Sequence, residues 1–131
     1  MAPTVPSPDE FERAAIRTIA GLPDEFRTHL AEVVLRIEEF ASAEQLASVG
    51  IASRWKLTGL YEGVPLPEQS LWDVPHMPPA ISLFRQPLLR EMEETGVAFE
   101  ALVRHVVIHE AGHHFGFSDE DMHALEDAAG D

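Results

Sequence analysis

The chain has 131 residues, a formal charge of −14 and 45% hydrophobic side chains, which suits one domain with a modest core. So large an acidic excess argues against nucleic acid and anionic membrane surfaces as partners, because both select clustered Lys and Arg; a basic or neutral peptide is repelled less. With no cysteine there is neither a disulfide framework nor a thiolate metal site, so a transition metal must be held by histidines and carboxylates.

The first twenty residues carry no positive stretch ahead of an apolar run, and no run of about 18 apolar residues occurs, so a cytoplasmic protein with no membrane span is expected. Residues 1–6 read as a proline-interrupted lead, and residues 7–131 as a single domain. Ser7, Pro8 and Glu10 form a helix start with a capping box, and Phe11, Ala14, Ala15, Ile16 and Ile19 follow at helical spacing until Gly21 and Pro23. A short helical turn is expected over residues 24–30. Residues 33–38 are β-branched and partly alternating, which predicts a strand. A short helix over 43–49 closes at Gly50.

Residues 57–64 predict a second strand ending at Gly63 and Pro65. Residues 67–79, with four prolines, predict a long loop. Residues 80–85 predict a third strand, and Pro87 opens a helix that Thr95 and Gly96 break. From Val97 the helical period is clear, with Phe99, Leu102, Val103, Val106 and Val107 inward and Glu100 and Arg104 outward. Gly116 supplies a left-handed end to this helix, and Ser118 or Asp119 caps a last helix over 120–128. The order of elements predicts an α+β fold with about three strands covered by helices, strand direction being open.

The chemistry concentrates at His109-Glu110-Ala111-Gly112-His113, followed by Gly116 and Asp119 in the spacing H-E-x-x-H-x-x-G-x-x-D. On a helix, residues four apart lie one turn apart on nearly one face, so His109 and His113 can grip one metal ion. Zinc bound by two such imidazoles needs a third protein ligand and leaves a position for water, whose proton Glu110 is placed to take. The short motif arises by chance in roughly one shuffle in 25 of this composition, the extended one in about one in several thousand.

Asp119, His123 and Glu126 all compete for the third ligand, and Asp119 also suits a helix cap. His105 lies four residues before His109, but about 12 Å along the axis from His113, so it cannot join the same ion and reads as a supporting or core group. His114 points about 140° away from His109 and reads as structural. Met122 reads as core. Tyr61 and His76 are candidates for stabilising an oxyanion, although spacing places neither in the cleft.

The extended motif resembles that of the bacterial minimal zincin-like metallopeptidases, which carry it near the C-terminus. The resemblance extends to Leu22-Pro23-Asp24-Glu25-Phe26, to Gly59-Leu60-Tyr61-Glu62-Gly63-Val64-Pro65-Leu66, and to Ile81-Ser82-Leu83-Phe84-Arg85 followed by Pro87. It runs from about Phe11 onward and implies a small mixed sheet covered by helices, with an edge strand beside the cleft; residues 57–64 and 80–85 are the candidates for that edge. It favours Asp119 as the third zinc ligand beside His109 and His113. The implied activity is zinc-dependent hydrolysis of peptide bonds in a peptide or protein substrate, with Glu110 as general base. The alternatives are a catalytically weak metal- or peptide-binding module on the same scaffold and a purely structural protein.

Overall fold

A computed structural model describes residues 5–63 and 78–116 of the chain. The elements, in order, are α1 (Pro8–Ala20), α2 (Asp24–Leu30), β1 (Val34–Glu38), α3 (Ala43–Ser48), a 3-10 turn (Arg54–Lys56), β2 (Gly59–Glu62), β3 (Ala80–Phe84), α4 (Arg85–Thr95) and α5 (Phe99–Phe115). The expected last helix, the expected loop up to residue 77, and Asp119, Met122, His123, Glu126 and His76 lie outside the described residues.

Local chemistry accounts for most helix ends. The Ser7 hydroxyl accepts the Glu10 N–H at 3.2 Å while the Glu10 carboxylate accepts the Ser7 N–H, so two donors without helical partners are satisfied reciprocally. Ser42 and Gln45 repeat this at α3. Helix α4 begins two residues before Pro87, straight from the last residue of β3 and without a side-chain cap. Glu39 takes over that role: its carbonyl accepts the Gln86 N–H at 3.1 Å, and its carboxylate accepts from Arg85 and from the Gln86 amide, each at 2.8 Å.

The three strands form one mixed sheet in the order β1-β3-β2, with β1 parallel and β2 antiparallel to β3. Strand β3 lies in the centre and is buried along its whole length, as a strand paired on both sides and covered on both faces is. It therefore cannot be the edge strand; of the two candidates, the one realised is β2. The register places Leu35, Ile37, Gly59, Tyr61, Ile81 and Leu83 on one face of the sheet. Helices α1 and α5 cover that face with Phe11, Ala14, Ala15, Leu102, Val103, Val106 and Val107. Each fully buried large side chain there contributes roughly 1.5–3 kcal/mol. Phe11 and Phe99 meet edge to face, centroids 4.9 Å apart, and tie the starts of α1 and α5 together. On the opposite face, Leu60 and Phe84 join Ala41 and Leu57 in a smaller cluster. Among the described residues no helix is long and apolar enough to cross a membrane.

Candidate metal centre

Helix α5 ends where the sequence places its stop. Gly116 has φ 74° and ψ 28°, and its N–H closes onto the carbonyls of Gly112 and His113, a left-handed end that glycine adopts without a Cβ penalty. The two motif histidines therefore sit on the last turns of α5. Their rings are nearly perpendicular, at 88°, with centroids 5.0 Å apart. The ligand-capable atoms of His109, Glu110 and His113 all lie within 4.8 Å of one another, with the Glu110 Oε1 4.0 Å from the His113 Nε2.

One glycine sets how closely this helix approaches the sheet. A Cβ on Gly59, the first residue of β2, would lie 2.5 Å from the Val106 Cγ1 and 3.4 Å from the Glu110 Cγ. Because Gly59 has no side chain, α5 lies directly against β2 and the Glu110 stem packs over Gly59. The Glu110 side chain is only 11% exposed. Burial pushes its carboxyl up to about 7, and a hydrogen bond from the Tyr61 backbone N–H partly opposes that rise.

The backbone of β2 explains why Tyr61 is available. The Phe84 N–H bonds the Thr58 carbonyl at 3.0 Å, so by antiparallel alternation Leu60 and Glu62 also face β3 while Gly59 and Tyr61 turn their N–H and C=O groups outward. Glu110 takes one of these outward groups.

His114 is fully buried. Its Nδ1 lies 2.7 Å from the Tyr61 hydroxyl, and its Nε2 faces the Glu32 carboxylate at 3.6 Å. Burial lowers its pKa from the ordinary imidazole value, against the upward pull of Glu32 and of the His29 backbone. Burial, and then Glu32, push the Tyr61 phenol up to about 12, so it is protonated and able to donate. The hydroxyl considered for an oxyanion is thus engaged by His114. His105, read as a supporting or core group, is exposed and stacks 6.5 Å from the His109 ring. With Thr58, Glu91, Val106, His109 and Glu110 it lines a cleft of about 250 Å³.

The sequence model of the zincin-like metallopeptidase family matches residues 30–129. The chain belongs to the zincin-like metallopeptidase family. A comparison with curated proteins finds no match. The matched span contains the three described strands, both motif histidines and Glu110, and the α+β architecture is the one the motif's family implies. Membership implies a metal cofactor, typically zinc. The described donors fit such an ion: two imidazoles one turn apart, converging with a buried carboxyl. Asp119 falls within the matched span but outside the described residues.

Sequence reasoning missed the pairing of Tyr61 with His114, which joins residues 53 positions apart. The available signal was the doubled His113-His114. Shifting the helical register by one residue turns the pair His109/His113 into the pair Glu110/His114, a second one-turn pair on the neighbouring face.

Proposed function

We propose that the chain is a zinc-dependent peptidase in which His109, His113 and Asp119 hold the metal and Glu110 is the general acid and base. The observation that carries this reading is the convergence of His109, Glu110 and His113 within 4.8 Å beside the outward edge of β2. A zinc ion bound there supplies an acidified water and polarises the scissile carbonyl. The Glu110 carboxylate accepts a proton and delivers it to the leaving amine. The outward groups of Gly59 and the Tyr61 carbonyl offer an extended peptide backbone pairing along the edge, which aligns a peptide bond with Glu110. The charge of −14 favours basic or neutral peptides.

The test is cleavage of a peptide library by zinc-loaded wild type and Glu110→Gln. The reading predicts cleavage by the wild type, and a loss of at least about 100-fold in Glu110→Gln with zinc retained. A zinc-loaded wild type that binds peptides without cleaving any would instead make the chain a binding module on this scaffold.

A further inference from the structure

We propose that Tyr61 and His114 are positioning residues, a latch that pins the edge strand β2 to α5 and so holds the Glu110 carboxylate beside the two metal-binding histidines. Tyr61 contacts α5 twice. Its backbone N–H donates to the Glu110 carboxylate, and its hydroxyl meets the His114 Nδ1 at 2.7 Å. Glu110 and His114 are one helical turn apart, about 6 Å along the axis, so a single strand residue spans one turn of the helix. His109 and His113 occupy the adjacent stripe of the same turn. The strand-facing pair and the metal-facing pair are therefore the same two turns seen one residue apart.

The polarity of the latch follows from its surroundings. The Nε2 of His114 is buried and faces the Glu32 carboxylate at 3.6 Å. A carboxylate on that side favours the tautomer with the proton on Nε2. Nδ1 is then the acceptor, and the Tyr61 hydroxyl is the donor. Such a polar contact, sunk between α5 and β2, fixes the strand in one place more sharply than apolar packing, because any slip leaves a buried imidazole nitrogen without its partner. Two residues earlier on the same face of this strand, the missing Cβ of Gly59 allows Val106 and Glu110 to close up. The latch and the glycine together determine where the Glu110 carboxylate stands.

The role rests on the peptidase reading, so the test reads the latch separately from turnover. The variants are Tyr61→Phe, which removes only the hydroxyl; His114→Leu, which removes the acceptor; and His114→Asn, whose amide oxygen replaces Nδ1. Amide hydrogen exchange at position 61, measured by NMR on metal-free and zinc-loaded protein, reports the N–H bonded to Glu110. Exchange is expected to accelerate at least about tenfold in Tyr61→Phe and to return toward the wild-type rate in His114→Asn, with bound zinc unchanged. Where the wild type cleaves peptide, kcat is expected to fall about 10- to 100-fold in Tyr61→Phe at little-changed KM. Unchanged exchange at position 61 in a folded Tyr61→Phe overturns the latch even if the wild type is an active peptidase. A wild type that cleaves nothing removes the peptidase reading, and accelerated exchange would still establish the latch.

Discussion

Replacing Glu110 by Gln should make the metal-free protein more stable at neutral and alkaline pH. The Glu110 carboxyl is pushed from an ordinary 4.5 up to about 7, chiefly by burial, and its side chain is 11% exposed, so solvent screens the effect little. At about 1.4 kcal/mol per pH unit, that gap corresponds to about 3 kcal/mol. The folded state holds the proton more tightly than the unfolded state, so ionisation opposes folding. The cost is absent below about pH 4.5, grows as the pH rises, and is fully present above about 7. Glutamine keeps an oxygen to accept the Tyr61 N–H and cannot ionise. Urea denaturation with chelator present, at pH 4, 5.5, 7 and 8, should show no gain for Glu110→Gln at pH 4 and a gain approaching 3 kcal/mol at pH 8. Equal stability of the two proteins at pH 8, or the same gain at pH 4 as at pH 8, would refute the assignment of a buried, desolvated carboxyl.

Other expectations follow from single contacts. Gly59→Ala places a methyl 2.5 Å from the Val106 Cγ1; because a β-branched side chain yields little, the denaturation midpoint should drop by the equivalent of about 1–3 kcal/mol. Gly116→Ala puts a Cβ on a residue at φ 74° and should cost about 1 kcal/mol in the same assay; no measurable loss would remove the left-handed end from the account. Ser7→Ala breaks the capping box of α1 and should cost about 1 kcal/mol by urea titration. His114 has a lowered pKa, so its folded form prefers to be neutral. Its contribution is lost as the pH falls below about 6.5, and the stability difference between wild type and His114→Asn should shift against the wild type across that range.

Much of this architecture was legible wherever the determining contacts are local. The Ser7–Glu10 capping box, the apolar stripe of α5 and the stop at Gly116 each depend on residues within a few positions of one another, and each stands where the pattern put it. Helix α4 begins earlier than Pro87 suggested because its first turn is satisfied by Glu39, 47 positions away from Gln86, which no local pattern reveals. Strand order was equally hidden: the run at β3 reads as apolar whether central or edge, and only its pairing with both β1 and β2 makes it central. At the site, the one-turn spacing of His109 and His113 announced itself. The roles of Gly59, Tyr61 and His114 did not, because a close approach of strand to helix depends on what packs opposite. Gly59 looked like an ordinary strand glycine, and its meaning appears only with Val106 and Glu110 beside it.

The central claim is that this chain carries one zinc on His109 and His113. Metal analysis by ICP mass spectrometry, on untagged wild type and His113→Ala after zinc addition and desalting, tests it most directly. The account predicts about one zinc per chain in the wild type and almost none in the folded variant. A folded wild type that retains no zinc, or a His113→Ala protein that retains as much as the wild type, would contradict it.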